Sequence, residues 1–291
     1  MQQYVDLLVS GLTLGAIYAL VALGFHLVFR MTGIIDFAQG DKVVIGALIG
    51  LSLVRSGLNS IAVVLVIVLA IGLVLGIAYD VVAILPTQRN GEMAAIAATV
   101  GMTLVFANGH QIIWGPDAEP FPNIVDGGIT LWSTPISYQR MIIWAVLIVV
   151  TVSLGYVLER TRMGRGMVAA ATDPLAATTV GINVSRDRSL AFALAFGFAA
   201  IAGVLIAPIT LAGGGSLGTA LTLKGFTGAV LGGLGSTRGV VVGALLLGVI
   251  ESELAAFLPN SNVDPVVFGG LIVILLILPN GLFGLRRQRL A

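Results

Sequence analysis

The sequence predicts an all-α, polytopic membrane protein. Charged residues make up 10% of its 291 positions, against about 25% in a soluble globular domain. The hydrophobic fraction is 57%, and the mean hydropathy is +1.05. A soluble fold could not cover that much apolar surface with polar side chains. We therefore expect one membrane-embedded domain over residues 1–291, with no soluble domain attached.

Uncharged runs mark the expected spans, because about 20 apolar residues are needed to cross roughly 30 Å of hydrocarbon. The longer runs are Leu7–Phe29, Ser56–Tyr79, Met93–Pro116, Met141–Leu158, Ser189–Leu223 and Pro265–Leu285. The shorter runs, of about 12 residues, are Val43–Val54, Gly225–Ser236 and Gly239–Ile250. We expect about eight transmembrane helices, in a range of about seven to nine, with broken or re-entrant segments among them.

Basic residues predict the orientation, since Lys and Arg are enriched in short cytoplasmic loops. Arginines concentrate in the connection 159–188 and at the C-terminus, whereas 115–139 has acidic residues and no basic one. We expect 159–188, 80–92 and the C-terminus in the cytoplasm, and 115–139 outside. The N-terminus lacks the pattern of a signal peptide, and we expect it outside as the start of a retained span.

Composition and motifs exclude several function classes. The chain has no cysteine and two histidines, so disulfides, thiolate chemistry and a zinc site are not expected. A net charge of +1 provides no basic face for nucleic acid. No Gly-Lys dipeptide occurs, so the chain has no P-loop and cannot hydrolyse ATP by that mechanism. We expect no enzyme, no catalytic residue, no bound metal and no bound cofactor.

The segment Gly33–Lys42 places unusual charge between two apolar runs, with Asp36, Gln39, Asp41 and Lys42 close together. Charge at membrane depth is costly and usually faces the bundle interior or a water-filled path. Glycines in the segment permit the non-helical backbone that such a path tolerates. The segment is a candidate translocation pathway or gate; an ordinary interfacial loop is the alternative.

His26, on the first expected span, is a further candidate for the pathway. Its imidazole could titrate there. The alternative is a buried histidine whose hydrogen bonds are satisfied within the bundle, as those of buried polar groups usually are.

The connection 159–188 contains a predicted short helix. A polar residue caps it, proline follows at its first position, small apolar side chains form one face, and glycine ends it. A compact helix outside the membrane suits docking into a groove on a partner; a plain loop helix is the alternative. The residues concerned are Thr172, Asp173, Pro174, Ala176, Ala177, Val180 and Gly181.

Several segments, spread in order over most of the chain, resemble branched-chain amino acid ABC-importer permeases. They correspond to the opening, the cytoplasmic coupling loop and the C-terminal half of that family. The segments are Leu12–Gly24, Ile35–Asp41, Arg160–Arg165, Asp173–Asn183, Lys224–Ser236 and Pro279–Gly284.

The resemblance implies a complex in a bacterial inner membrane. Its other members would be a second related permease, an extracytoplasmic solute-binding protein and two cytoplasmic ATPases that hold ATP and Mg. It also implies that Pro174–Gly181 is a coupling helix seated on an ATPase, flanked by Arg165 and Asp173. Ala176, Ala177 and Gly181 match the family signature, whereas Leu175 occupies its glutamate position.

The first motif departs from the usual family pattern. Asp36, Gln39 and Asp41 stand where Asn, His and Glu are usual. If this segment lines the path, the solute could be a branched-chain amino acid or a related small molecule such as urea, a short amide or an aromatic acid. The competing function is an ATP-independent channel or an ion-coupled carrier that uses Asp36 and Asp41 as coupling groups.

Overall fold

The computed structural model describes residues 2–58, 60–88, 90–122, 125, 127–131, 134–214, 216–278 and 281–283. The architecture is all-α, as predicted. The helices are α1 (Gln2–Thr32), α2 (Gln39–Arg55), α3 (Ile61–Tyr79), α4 (Leu85–Gln88), α5 (Glu92–Trp114), α6 (Tyr138–Arg160), α7 (Arg162–Thr172), α8 (Pro174–Thr179), α9 (Val184–Thr210), α10 (Leu217–Gly232), α11 (Thr237–Phe257) and α12 (Asn260–Ile277). The C-terminal arginines and part of the motif Pro279–Gly284 lie outside the described residues.

The segments between helices distinguish two ends of the bundle. At the hairpin end, β1 (Gly128–Leu131) pairs antiparallel with β2 (Thr134–Ser137) between α5 and α6. At the other end, which we call the basic end, α7 and α8 connect α6 to α9. Ser10 of α1 and Gly127 line the same cavity of about 400 Å³. The start of α1 therefore lies at the hairpin end, on the same side as 115–139, as the predicted orientation requires.

Within the described residues, 6 helices are long and apolar enough to cross a membrane. They are α1, α3 with its extension to Gln88, α5, α6, α9 and α11. Two others remain short, with 17 residues in α2 and 16 in α10. The predicted short run Val43–Val54 lies within α2, which confirms a segment shorter than a perpendicular span of about 20 residues. The predicted run Gly225–Ser236 has the wrong bounds, because α10 begins at Leu217, continues through Lys224 and ends at Gly232.

The predicted short run Gly239–Ile250 is wrong in length. It belongs to α11, which has 21 residues and continues through Glu251. That acidic residue does not end the helix because its carboxylate pairs with Lys224 inside the bundle. A boundary drawn at each charge therefore cuts this helix too early.

The predicted single run Ser189–Leu223 is divided into α9 and α10. The break begins at Leu211, whose φ is 75°, and continues through Gly213 and Gly214 with φ of 87° and 91°. Side-chain-bearing residues rarely adopt this left-handed region, whereas glycine does so readily. The cluster of glycines thus turns the chain back into the bundle.

The helix of α3 continues past its predicted end at Tyr79. A π-helical turn, Asp80–Ile84, joins it to α4. Asp80 was expected to begin a cytoplasmic loop, but it is fully buried within this continuous helix. Single π-helical turns inside α-helices occur frequently at functional sites.

Closely spaced glycines pack the central helices against one another. A Cβ at Gly248 of α11 would overlap the backbone of Gly15 of α1, and one at Gly46 of α2 would overlap Ala200 of α9. Lipid provides no hydrophobic drive for helix association, so close backbone approach through small residues stabilises such crossings. These glycines therefore serve helix packing within the chain.

Candidate functional site

The charged motif forms the junction between α1 and α2. Gly33 follows α1 with φ of 72°, and α2 begins at Gln39. The side chains of Asp36, Gln39, Asp41 and Lys42, which the sequence places between two apolar runs, are all buried within the bundle. The alternative of a solvated interfacial loop does not describe this segment.

An ion pair between Asp36 and Lys42 lies at the centre of this cluster. Asp36 also accepts hydrogen bonds from the Tyr79 hydroxyl at 2.8 Å and from the Ala38 backbone N–H at 3.2 Å. The Lys42 ammonium lies 4.2 Å from the centroid of the Tyr79 ring, where the ring quadrupole attracts a cation. Buried charges are tolerated when they are paired and hydrogen-bonded in this way.

Gln39 connects the ion pair to α9. Its Nε2 donates to the carbonyl oxygen of Ala195 at 3.0 Å, and its Oε1 accepts from Lys42 at 3.3 Å. A Cβ at Gly24 would overlap the Gln39 amide, so the glycine of α1 makes room for this side chain. We define the Asp36 network as Asp36, Gln39, Lys42 and Tyr79. Each of these is 3% exposed or less, so the network is closed to solvent in this structure.

Asp41 lies where the first turns of α2 and α10 meet. Its carboxylate fills the space beside Gly218, which has no side chain, and the Gly40 N–H donates to Thr222 Oγ1 at 2.9 Å. The N-terminal ends of helices carry partial positive charge that stabilises a carboxylate. Among the described residues, Asp41 Oδ2 is buried without a hydrogen-bond partner.

His26 lies in a different place from the Asp36 network. Its Nδ1 is 2.7 Å from the Leu234 carbonyl oxygen, and its Nε2 is 3.0 Å from Thr237 Oγ1. Both ring nitrogens are therefore satisfied at the turn between α10 and α11. This is the alternative that the sequence left open for the histidine.

The predicted short helix at the basic end is α8. Asp173 caps it, since Oδ1 accepts from the N–H groups of Leu175 and Ala176, both at 3.0 Å. Pro174 occupies the first position, and Gly181 follows the helix with φ of 84°. The cap, the proline and the terminating glycine are thus confirmed.

The apolar face expected on α8 is wrong in one respect. Ala177 is 3% exposed and packs onto the bundle, whereas Leu175 and Val180 are 80% and 75% exposed. Ala176 is exposed as well. In a six-residue helix the neighbours Ala176 and Ala177 necessarily point in different directions. The outward apolar surface at α8 is therefore made of Leu175, Ala176 and Val180, the residue that follows the helix, and Arg165 of α7 is also exposed.

A buried ion pair that the sequence analysis missed ties α9 to the π-helical turn. Arg188 donates from Nε to Asp80 Oδ1 at 2.8 Å and from Nη2 to Oδ2 at 3.3 Å. Ser189 Oγ donates to Asp80 Oδ2 at 2.5 Å, and Arg188 Nη1 donates to Gln88 Oε1 at 2.8 Å. The partners are 108 residues apart, so no local spacing in the sequence joins them.

A second charged group was also missed, and it lies between α10, α11 and α12. Lys224 Nζ donates to Glu251 Oε1 at 2.6 Å and lies 3.1 Å from Asp264 Oδ1. The Tyr18 hydroxyl of α1 donates to the same Glu251 oxygen at 3.2 Å. We call Lys224, Glu251 and Asp264 the Lys224 cluster. Acidic residues within the last third of the chain were the available signal, but nothing in their spacing pairs them with Lys224.

A comparison with known protein families places this arrangement in one of them. Residues 7–276 match the family described as branched-chain amino acid transport system / permease component. The chain belongs to this family. It is therefore a permease component, and the all-α bundle with its buried polar junctions is the membrane part of a transport system.

Curated relatives of the permease support the family assignment. The permease is 30% identical over 288 residues to the high-affinity branched-chain amino acid transport system permease protein LivH of Escherichia coli (strain K12), with 94% of each chain covered. It is 31% identical over 294 residues to BraD of Pseudomonas aeruginosa, covering 97% of this chain and 96% of that one. The ribose import permease protein RbsC of Escherichia coli (strain K12) is 25% identical over 280 residues, with 91% and 83% covered.

A solved structure shares the fold of the permease. PsaBC from Streptococcus pneumoniae in complex with Fab has a TM-score of 0.50 and covers 91% of this chain and 90% of that chain. The identity is 13%, so this likeness concerns the fold alone. The family match and the curated relatives show a multi-pass inner-membrane permease subunit of an ABC importer, and those relatives are transport subunits, not enzymes.

Proposed function

We propose that the permease works in a complex with a second permease subunit, two cytoplasmic ATPases and an extracytoplasmic solute-binding protein. ATP and Mg are held by the ATPases, and this chain binds no cofactor. The solute we propose is a branched-chain amino acid, because the relatives LivH and BraD carry that description. Urea, short amides and aromatic acids are the alternatives, because Asp36 and Gln39 depart from the usual motif.

The observation that carries this proposal is the geometry of α8. The helix is capped at both ends by the chain itself, yet it presents Leu175 and Val180 to the surroundings. Large exposed apolar side chains on a short, rigid helix outside the bundle mark a docking surface. We infer that α8 seats in a groove of an ATPase and that Ala177, which packs inward, transmits the motion of that ATPase to the bundle.

Helix α8 contacts α9, and charged and polar contacts lead from the start of α9 to the Asp36 network. Arg188, near the start of α9, forms an ion pair with Asp80. Tyr79, the residue before Asp80, donates a hydrogen bond to Asp36. We propose that this network is the closed gate of the translocation pathway, with Asp41 at its edge. Movement of α8 and α9 would pull on Asp80 and so open the junction between α1 and α2.

The proposed orientation places the basic end in the cytoplasm and the hairpin end outside. Arg160 of α6 and Arg162 and Arg165 of α7 lie at the basic end, as the positive-inside rule requires. Leu282 N–H donates to the Leu231 carbonyl oxygen at 2.8 Å. Leu231 lies near the α10–α11 turn, where His26 contacts the Leu234 carbonyl oxygen. The described chain therefore ends close to that turn, which supports a cytoplasmic C-terminus.

The complex is tested by purification of the tagged permease from its native membrane in mild detergent, followed by mass spectrometry. We expect an ATPase, a related permease and a binding protein to co-purify. Leu175→Glu should reduce the yield of the ATPase without reducing that of the permease. The matched control is Ile129→Glu, an exposed apolar residue of β1 at the hairpin end, which should retain the ATPase. A permease that purifies alone, without bound ATPase, would contradict the proposal.

A further inference from the structure

The Lys224 cluster lies within the membrane part of the permease and towards its hairpin end. Glu251 is six residues before the end of α11 at Phe257, a distance of about 9 Å along a helix. Its neighbour Ser252 donates to the Leu7 carbonyl oxygen at 2.8 Å, near the start of α1. The cluster is therefore inside the helix bundle, in the half from which an imported solute would arrive.

The charges within this cluster do not balance. One ammonium, on Lys224, faces two carboxylates, on Glu251 and Asp264. Glu251 is 9% exposed, and its Oε2 is buried without a hydrogen-bond partner among the described residues. A buried carboxylate oxygen that lacks a partner is costly. The cluster thus has an excess negative charge and one unfilled acceptor.

Asp264 is the member of the cluster that reaches the surface of the chain. Its side chain is 50% exposed, whereas those of Lys224 and Glu251 are 15% and 12% exposed. Ionisable side chains within a membrane almost always face the bundle interior or a water-filled cavity, because contact with hydrocarbon is expensive. The exposed Asp264 carboxylate therefore favours contact of this face of α12 with water, not with lipid.

We propose that the Lys224 cluster is a binding site for the charged end of a zwitterionic solute on its way through the importer. The solute ammonium donates to Glu251 Oε2 and to Asp264. Lys224 has three N–H donors, two of which point to the carboxylates, and the third donates to the solute carboxylate. The proposal rests on the proposed function, and it adds the recognition of an amino acid by the permease itself.

The chemistry of the site distinguishes amino acids from neutral solutes. An ammonium next to an unpaired carboxylate forms a charge-assisted hydrogen bond, which is stronger than a neutral one. Urea or a short amide has no full charge and gains far less from this arrangement. The cluster therefore favours the amino acid among the solutes considered above.

The first experiment measures solute delivered per ATP hydrolysed, with the reconstituted complex and leucine as the probe. Glu251→Gln and Asp264→Asn should each lower that ratio by about tenfold, because the ammonium loses a charged acceptor. ATPase stimulation by the binding protein should stay within about twofold, since neither residue lies near α8. The matched control is Glu253→Gln on the same helix, which should keep the wild-type ratio.

Two results would overturn this proposal in different ways. If Glu251→Gln and Asp264→Asn keep the wild-type ratio, the cluster does not bind the solute. If they lower ATPase stimulation and uptake in parallel, the cluster has only a structural role. If the wild-type complex itself shows no ATP-dependent uptake, the proposed function fails, which is a separate outcome.

A second experiment does not depend on transport by the variants. The chain has no cysteine, so Asp264→Cys introduces a single thiol. A charged, membrane-impermeant thiol reagent should label this thiol in the assembled complex, and an excess of leucine-loaded binding protein should slow the labelling. Val273→Cys, exposed on the opposite face of the same helix, should remain unlabelled because we expect that face to contact lipid. An unreactive Asp264→Cys would show that no aqueous path reaches the cluster and would overturn the proposal.

Discussion

Arg188 donates hydrogen bonds to both carboxylate oxygens of Asp80, from Nε at 2.8 Å and from Nη2 at 3.3 Å. Such bidentate pairs fix geometry as well as charge. Arg188 lies just after the connection that contains α8. Asp80 is adjacent to Tyr79, whose hydroxyl donates a hydrogen bond to Asp36 Oδ1 at 2.8 Å. The pair therefore lies between the proposed docking helix and the proposed gate.

Removal of Arg188 should destabilise the permease strongly. Arg188→Gln leaves a buried carboxylate without its cation, and loss of one partner of a buried pair costs about 3–5 kcal/mol. The double variant Asp80→Asn/Arg188→Gln should cost clearly less than the sum of the two single changes. Thermal unfolding in detergent, followed by tryptophan fluorescence, measures these effects. Strictly additive changes would show that the two residues are not coupled.

Lys42→Met should lower the unfolding midpoint for the same reason, because the buried Asp36 carboxyl then loses its cationic partner. Asp36→Asn/Lys42→Met should recover most of that loss, since both charges are removed together. We expect ATP-driven uptake to remain impaired in the double variant, because the gate no longer has its ion pair. Wild-type uptake by a stable double variant would show that the Asp36 network is a structural junction only.

Gly248→Ala should disrupt the crossing between α1 and α11. A Cβ at this position would overlap backbone atoms of Gly15, and neither backbone can yield without moving its helix. Overpacking of this kind typically costs about 1–3 kcal/mol. Gly101→Ala on α5, where a Cβ meets nothing within 4 Å, provides the matched control and should leave the unfolding midpoint unchanged or slightly higher. Equal midpoints for the two variants would refute the proposed close contact.

Asp173→Ala should weaken α8 without unfolding the permease. Loss of a helix N-cap costs about 1 kcal/mol, and here it frees the N–H groups of Leu175 and Ala176. We expect ATPase stimulation by the binding protein to fall while the unfolding midpoint of the bundle stays near the wild-type value. Asp173→Ser keeps a capping oxygen and should retain most of the stimulation. Full stimulation in Asp173→Ala would mean that the rigidity of α8 is unimportant.

The sequence predicts the all-α membrane fold well, because apolar run length and charge density report directly on burial in lipid. The capped helix α8 follows from Asp173, Pro174 and Gly181, whose preferences act within a few residues. The burial of Asp36, Gln39, Asp41 and Lys42 was one of two possibilities that the sequence left open, because charges between two apolar runs also fit an interfacial loop. The membrane fold and the capped helix, in contrast, arise from local chemistry.

Features that depend on distant partners could not be predicted in the same way. Asp80 lies inside a helix and not in a loop because Arg188, 108 residues away, neutralises it. Glu251 lies inside α11 because Lys224 reaches it from α10. A single sequence shows each charge but not its partner. The division of Ser189–Leu223 was missed for another reason, since Leu211 adopts a conformation that leucine rarely takes.

The central claim is that the permease imports solute with energy delivered through α8. Its most direct test is uptake of radiolabelled leucine into vesicles that contain the purified complex, with ATP inside and the binding protein outside. We predict uptake that requires ATP, is lost in Leu175→Glu and is retained in Ile129→Glu. Uptake of the same rate by the permease alone, without ATPase or ATP, would contradict the account in favour of a channel or an ion-coupled carrier.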